Sequence, residues 1–220
     1  MSEALKVYKN LKDLAREECI LAGTPACGGC GGLAVLRLAS KVLGERVVFV
    51  NAAGCFTLLA LFPYTPFRGS WLYTTMGSAP AGAQGVRDAL DILLATGRLP
   101  PEDDVQVVVI AGDGSTYDMA LSTTSGTLYR HLDYWYICYD NEAYGNTGMQ
   151  QSSATPYAAR TATTASGAGF PQPSHAAKRI YSRSGGPIPH RTSPRCRPDI
   201  PSTWRVNLRR PNSSRGRSCF

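Results

Sequence analysis

Apolar and polar positions follow two periods along this chain, and their order predicts an architecture. From Glu3 to about Ala22, Leu5, Tyr8, Leu11, Leu14 and Ala15 recur at three- and four-residue spacing between Lys, Asp and Glu, which predicts one amphipathic helix. Gly23-Thr24-Pro25 breaks it, and Cys27-Gly28-Gly29-Cys30-Gly31-Gly32 is too glycine-rich for a regular element. A second helix is expected from Leu33 to Leu43. Val47-Val48-Phe49-Val50-Asn51 is a continuous apolar run, the pattern of a strand buried on both faces, and it ends in Ala52-Ala53-Gly54-Cys55. A loop containing Pro63, Pro66, Gly69 and Trp71 follows, then a helix from Gly82 to Ala95. Val105 to Ala111 repeats the buried-strand pattern and runs into Gly112-Asp113-Gly114-Ser115. Met119 to about Arg130 reads as helical, and Tyr134 to Tyr139 as a third strand ending in Asp140-Asn141-Glu142. Strand and helix in repeated alternation predict the α/β class, a parallel sheet flanked by helices.

From about Thr161 the pattern stops. Eight prolines and a mixture of Arg, Ser and Gly replace it, and only Trp204-Arg205-Val206-Asn207-Leu208 hints at order. Charge divides at the same place. Residues 161–220 hold 11 Lys/Arg and a single acidic residue, Asp199, whereas residues 1–160 hold 12 Lys/Arg and 15 Asp/Glu. The net charge of +7 therefore belongs to the tail. The expected organisation is one domain over residues 1–165 and a basic Arg/Ser/Pro-rich tail over 166–220. The tail reads either as a natural disordered arm or as a product of a shifted reading frame near residue 165. The abruptness of the change inside a domain favours the second.

The remaining composition narrows the class. With 43% hydrophobic residues the chain can bury a core. No stretch approaches ~18 consecutive apolar residues, which argues against a membrane span. The polar start Met1-Ser2-Glu3-Ala4-Leu5-Lys6 lacks a signal-peptide pattern, so a cytoplasmic protein is expected. Cysteines stand at 19, 27, 30, 55, 138, 196 and 219, an odd number that suits a reducing compartment.

Candidate chemistry lies in the loops after the three predicted strands, since open parallel sheets bind ligands at that edge. Gly112-Asp113-Gly114 and Asn141 are separated by 26 residues that form one helix and one strand. Glycines let backbone approach a diphosphate, and Asp and Asn offer hard oxygen ligands to Mg²⁺. Asp113, Asn141 and the Ala143 carbonyl are the expected protein ligands. Taken alone, Asp113 also reads as a helix-capping turn residue. Cys27-Gly28-Gly29-Cys30 alone reads equally as a zinc clip, a redox pair or two buried thiols. Cys19 and Cys138 read as small core hydrophobes. His131 reads as a surface-loop residue, and Tyr134-Trp135-Tyr136 as sheet packing.

These words resemble one family. Gly112-Asp113-Gly114-Ser115-Thr116-Tyr117-Asp118, Tyr139 through Gly148, Ser153-Ala154-Thr155-Pro156-Tyr157, Cys27-Gly28-Gly29-Cys30-Gly31, Asn51-Ala52-Ala53-Gly54-Cys55 and Pro63-Tyr64-Thr65 are all similar to the beta subunit of pyruvate:ferredoxin oxidoreductase and its 2-oxoacid relatives. The resemblance covers about residues 15–165 in the family's order. It implies a thiamine-diphosphate-binding fold with cofactor contacts from Gly32, Cys55, Gly112, Asp113, Gly114, Ser115, Asn141, Glu142, Ala143, Tyr144, Gly145 and Asn146. It places Mg²⁺ on Asp113, Asn141 and Ala143, and Asn146 beside the thiazolium as the catalytic amide. It implies a [4Fe–4S] cluster on Cys27, Cys30 and Cys55, with a fourth cysteine that is not placed, because Cys196 and Cys219 lie in the tail. The activity implied is oxidative decarboxylation of a 2-oxoacid to acyl-CoA and CO₂, with electrons passing through the cluster to ferredoxin.

The partners implied are an alpha subunit carrying the other thiamine-binding domain, gamma and ferredoxin-like delta subunits, ferredoxin, coenzyme A and the 2-oxoacid. Neither nucleic acid nor membrane is among them. The chain by itself is expected to be inactive. The segment before Cys27 and the stretch from Phe67 to Ala81 depart from the pyruvate enzymes. Pyruvate is the first substrate expected, with oxalate, branched-chain 2-oxoacids and aryl glyoxylates as others. Two further classes are a non-redox thiamine decarboxylase or carboligase, and a nucleic-acid binder acting through the basic tail.

Overall fold

A computed structural model describes residues 11–61 and 63–164, and the backbone of Arg179–Tyr181 and Pro187–Pro189. Four parallel strands form its sheet: β1 (Val47–Ala52), β2 (Ser70–Thr74), β3 (Gln106–Gly112) and β4 (Trp135–Tyr139), in the order β2-β1-β3-β4. Three helices accompany it: α1 (Gly31–Leu43), α2 (Ala79–Ala95) and α3 (Leu121–Tyr129). The α/β expectation holds, with a parallel sheet flanked by helices. Arg179–Tyr181 and Pro187–Pro189 pair as a separate antiparallel ribbon. Trp204 to Leu208 lies outside the described residues. Among the described residues, no helix is long and apolar enough to cross a membrane.

The valines of β1 and β3 and the aromatics of β4 suit strands covered on both faces. Alternate residues go to opposite sides. Phe49, Val108, Ile110, Trp135 and Ile137 pack with Leu36 and Leu43 of α1. Val50, Val107, Val109, Tyr136 and Cys138 pack instead with Ala79 and Ala83 of α2. Full burial of each large side chain contributes ~1.5–3 kcal/mol, so these two layers carry most of the stability. Small alanines on α2 let its backbone sit close to β1 and β3. The Tyr134-Trp135-Tyr136 run is buried in this packing, as expected, and Cys138 is a core residue at 3% exposure.

Three local expectations need correction. The helix predicted from Glu3 to Ala22 does not form over the part described: Leu11–Asp13 is a single tight turn and the chain then runs irregularly to Gly31. Tertiary hydrogen bonds replace the helical ladder. Ile20 bridges Phe67, Leu21 N–H donates to the Pro66 carbonyl at 2.8 Å, and Arg68 N–H donates to the Cys19 carbonyl at 3.2 Å. Lys41 Nζ takes the Ala15 carbonyl at 2.9 Å, and Glu18 pairs with both Arg37 and Lys41 of α1. Cys19 is therefore half-buried in an extended segment rather than on a helix.

The stretch read as a loop around Trp71 contains β2, whose hydrogen bonds to β1 outweigh the flanking prolines. Finally, α2 starts at Ala79 rather than Gly82, because Pro80 in its first turn gives up no helical hydrogen bond.

Candidate cofactor site

Strand order decides where the site lies. The chain leaves β1 toward β2 on one side and returns across it to β3 on the other, so the loops after β1 and β3 diverge. That reversal point is where open parallel sheets bind ligands. A cavity of about 180 Å³ opens there, lined by Ala53, Gly54 and Cys55 after β1 and by Gly112, Asp113 and Gly114 after β3. Asn141, Ala143, Tyr144, Gly145, Asn146 and Thr147 after β4 complete it, with Tyr73 and Met76 from β2 and its loop. Most of the residues expected at the site converge on it. Ser115 and Glu142 lie beside it, and Gly32, buried in the first turn of α1, does not line it. The Ser115 hydroxyl instead donates to the Met76 carbonyl at 2.5 Å, tying the loop after β3 to the loop after β2.

Two glycines are required by close approach. A Cβ on Gly114 would lie 2.4 Å from the Tyr144 ring, and one on Gly145 would lie 2.5 Å from the Asn141 amide. The Tyr144 ring and the Asn141 amide fill the space that a side chain would need at these two positions. Glu142 adopts φ 64°, which swings the loop after β4 back toward Asp113; Asp140 Oδ1 supports the turn by accepting the Glu142 N–H at 3.0 Å.

Three oxygens meet at the floor of the cavity. Asn141 Oδ1 lies 2.9 Å from Asp113 Oδ1 and 2.6 Å from the Ala143 carbonyl oxygen, while its Nδ2 faces Cys55 Sγ at 4.0 Å. No hydrogen separates the three in this orientation, so with protein atoms alone the turned-over amide, whose NH₂ donates to both oxygens, is the satisfied arrangement. The amide oxygen faces them stably only with a cation between. A carboxylate, a backbone carbonyl and an amide oxygen are the hard oxygen donors that Mg²⁺ takes, so the chemistry of this donor set fits Mg²⁺. Asp113 is 1% exposed. Burial pushes its carboxyl up to about 7, the Asp140 charge adds to the rise, and the Ser152 hydroxyl opposes it. A nearby cation would favour the carboxylate and reverse that shift.

Asp118 ties the loops together. Its carboxylate accepts the Ser153 N–H at 3.0 Å, the Ser153 hydroxyl, and the Tyr144 hydroxyl at 3.1 Å. Thr116 donates to the Gly112 carbonyl at 2.8 Å and accepts from the Tyr136 hydroxyl at 3.1 Å. Burial raises the Tyr139 and Tyr144 phenols, so both stay protonated, and Tyr144 donates to Asp118.

The cysteines are arranged less tightly. Cys27 is exposed, Cys30 and Cys55 are half-buried, and all three are free. Burial raises the Cys55 thiol, and Cys30 and Cys27 raise it further. Among the described residues, however, no group of three or more His, Cys, Asp or Glu side chains is gathered closely enough to hold a metal. His131 is exposed, as expected, and is not among the residues that line the cavity. Sequence reasoning missed Ala53, Gly54, Thr57, Tyr73, Met76, Tyr139 and Thr147 as cavity residues. Tyr73 and Met76 were hidden because β2 was not recognised.

Comparison with known proteins identifies the domain. The family model of thiamine pyrophosphate enzymes, C-terminal TPP binding domain, matches residues 52–180, so the change in composition near residue 165 falls inside the match. Pyruvate synthase subunit PorB of Methanothermobacter thermautotrophicus is 44% identical over 155 residues, which is 70% of this chain and 51% of that protein. Ketoisovalerate oxidoreductase subunit VorB of Pyrococcus abyssi is 41% identical over 152 residues, 69% of this chain and 48% of that protein. The chain thus spans about half the length of the curated relatives it matches. A solved structure of 2-oxoglutarate:ferredoxin oxidoreductase from Magnetococcus marinus, with 2-oxoglutarate, coenzyme A and succinyl-CoA bound, shares the fold. Its TM-score is 0.52 at 23% identity, over 78% of this chain and 54% of that one. The glycine-lined turn after β3 and the oxygens that face it therefore sit inside a recognised domain, and the chain belongs to the thiamine pyrophosphate enzymes as their C-terminal TPP-binding domain.

Proposed function

We propose that this chain is the beta subunit of a cytoplasmic 2-oxoacid:ferredoxin oxidoreductase, binding thiamine diphosphate and Mg²⁺ at the cavity between β1 and β3. The convergence of Asn141 Oδ1, Asp113 Oδ1 and the Ala143 carbonyl carries the reading, and the resemblance to pyruvate synthase and ketoisovalerate oxidoreductase subunits supports the substrate class. Asp113, Asn141 and Ala143 would hold the metal, and backbone of Gly112 to Ser115 would receive the diphosphate. Thiamine diphosphate, when bound, supplies the electron sink that lets a 2-oxoacid lose CO₂. The chain's own share is positional. Gly114 and Gly145 let Tyr144 and Asn141 pack against the two loops, and Asn146, exposed at the cavity mouth, is in place to orient a substrate carboxylate or carbonyl through its amide.

Cys27, Cys30 and Cys55 are proposed as three ligands of a [4Fe–4S] cluster that passes electrons to ferredoxin, the acyl unit leaving on coenzyme A. Pyruvate is the first substrate proposed. The cavity, at about 180 Å³, is smaller than the ~300 Å³ lower bound of ordinary ligand pockets. This supports a second wall contributed by an alpha subunit, with gamma and delta subunits as further partners. Residues 1–165 are proposed as the cofactor-binding domain and 166–220 as a basic extension of it.

The test is assembly of the full chain with its partner subunits, followed by thiamine diphosphate titration with and without Mg²⁺ and by iron analysis. Mg²⁺-dependent cofactor binding, about four irons per cluster, and 2-oxoacid-dependent reduction of ferredoxin are expected. Cofactor binding without iron or ferredoxin reduction would return the protein to the non-redox decarboxylases; no cofactor binding would refute the reading altogether.

A further inference from the structure

One short loop outside the cavity touches both halves of the oxygen trio. Ser152 and Thr155 are 4% and 1% exposed, and neither lines the cavity. The Ser152 hydroxyl donates to Asp113 Oδ2. The Thr155 hydroxyl donates to the Glu142 carbonyl at 2.6 Å. These two hydroxyls are themselves fixed. Thr155 Oγ1 accepts the Ser152 N–H at 3.0 Å, Ser152 Oγ accepts the Ala154 N–H at 3.1 Å, and the Thr155 N–H closes the turn on the Ser152 carbonyl at 3.1 Å. One backbone N–H occupies a lone pair on each hydroxyl oxygen, which fixes the oxygen in place, and each hydroxyl hydrogen is donated to the metal loops.

Each bond selects a conformation. A donor on Asp113 Oδ2 fixes the carboxylate rotation, and that leaves Oδ1 beside Asn141. Glu142 stands between Asn141 and Ala143 at φ 64°, a region that side-chain-bearing residues rarely occupy. Its N–H is held by Asp140 and its carbonyl by Thr155, and this turn is what directs the Ala143 carbonyl at the Asn141 amide. One loop thus sets the first oxygen through Ser152 and the third through Thr155.

We propose that Ser152 and Thr155 are positioning residues for the divalent cation of this site, holding Asp113 and the Ala143 carbonyl in a binding geometry before the cation arrives. The proposal rests on the metal and cofactor reading above. It deepens that reading by naming the part of the chain that preorganises the site. Outer-shell partners of this kind typically change metal affinity by about 10–100-fold.

The experiment uses the full chain assembled with its subunits, Mn²⁺ as the probe in the presence of thiamine diphosphate, and the free-Mn²⁺ electron paramagnetic resonance signal as the readout. Ser152→Ala and Thr155→Val are expected to weaken Mn²⁺ binding about 10–100-fold, while Ser152→Thr and Thr155→Ser, which keep the hydroxyls, restore it. Ser152→Cys keeps the volume and weakens the donor, and reads the same quantity should the alanine variant fold poorly. Wild-type affinity in Ser152→Ala (or Ser152→Cys) and in Thr155→Val overturns the proposal, as does a loss that the hydroxyl-bearing variants fail to restore. Asp113→Ala separates this from the parent reading: if it binds Mn²⁺ as weakly or as tightly as wild type, there is no metal site on Asp113 to position, and the parent reading falls with the proposal.

Discussion

Replacing Gly114 by Ala isolates the packing that keeps the loop after β3 open. Gly114 has φ −62° and ψ −35°, a helical conformation that Ala adopts without strain, so the backbone raises no objection. The obstacle is the Tyr144 ring, whose Cε1 would lie 2.4 Å from the new methyl and whose Cδ1 and Cζ would lie 2.7 Å away. Carbon atoms in contact sit at about 3.5–4.0 Å, so the ring has to retreat by more than 1 Å. It is poorly placed to do so. Its hydroxyl donates to Asp118 at 3.1 Å, and its backbone N–H and carbonyl pair with Gln150 and Met149, both at 2.9 Å.

Overpacking costs ~1–3 kcal/mol, and losing the hydroxyl's bond adds ~1 kcal/mol. Against that, Gly→Ala at a permissive backbone gains ~0.4–1 kcal/mol from the unfolded state. A net loss of roughly 1–3.6 kcal/mol follows, or a Tm lower by roughly 2–14 °C for a chain of this size. Thermal unfolding of wild type, Gly114→Ala, Tyr144→Ala and the double variant checks it. The double variant should lie above the sum of the two single losses by ~1 kcal/mol or more, because the methyl then enters vacated space. A Gly114→Ala protein as stable as wild type would refute the argument, and so would strictly additive losses.

Asp113→Asn should abolish Mg²⁺-dependent thiamine diphosphate binding, measured by calorimetry, because a neutral amide replaces the charged ligand while filling the same volume. Arg87, only 3% exposed, holds Asp91, Asp104 and the Val105 carbonyl at the start of β3. Both carboxylates are half-exposed, so Arg87→Met should cost about 1–3 kcal/mol in denaturant unfolding rather than the full loss of a buried ion pair. Glu18 titrates at about 2, held down by hydrogen bonds from Arg37 and Lys41. A depressed carboxyl stabilises the fold above its unfolded value near 4.5, and that contribution disappears as pH falls toward 2. Wild type and Glu18→Gln should therefore differ in Tm at pH 6 and converge at pH 2; an unchanged difference across that range would remove Glu18 from the link between the N-terminal segment and α1.

What could be read from the sequence were the parts governed by short-range pattern. Val47 to Val50, Val107 to Ala111 and Tyr134 to Tyr139 are unbroken apolar runs, and burial on both faces is the simplest environment that tolerates them. Gly112-Asp113-Gly114 and Asn141 were legible because their chemistry is unusual for their position, at the ends of such runs. The segment before Cys27 misled for the opposite reason. Its three- and four-residue spacing satisfies a helix, but a helix cannot also give Ile20, Leu21 and Cys19 their bonds to Pro66, Phe67 and Arg68. Long-range pairing of that kind leaves no local trace. β2 was masked similarly: Trp71, Leu72 and Tyr73 are strand-forming, yet Pro63, Pro66 and Gly69 punctuate the approach, and only pairing with β1 makes the segment a strand. Ser152 carries no pattern at all, since its role depends on a fold that brings it to Asp113 across 39 residues.

Register explains how words so far apart in sequence become one site. In the pairing of β3 with β4, Gly112 stands opposite Tyr139, and in that of β1 with β3, Asn51 stands opposite Ile110. Parallel strands that end at one level deliver the next residues of each, Ala53 to Cys55, Asp113 and Asn141, to the same edge of the sheet. A slip of one residue between β3 and β4 would turn every β4 side chain to the other face. Trp135, Ile137 and Tyr139 would then compete with α2 for the layer that Tyr136 and Cys138 occupy. The aromatic residues of β4 therefore do more than fill the core. By making any other register costly, they fix the height at which Asn141 leaves the sheet and so its meeting with Asp113.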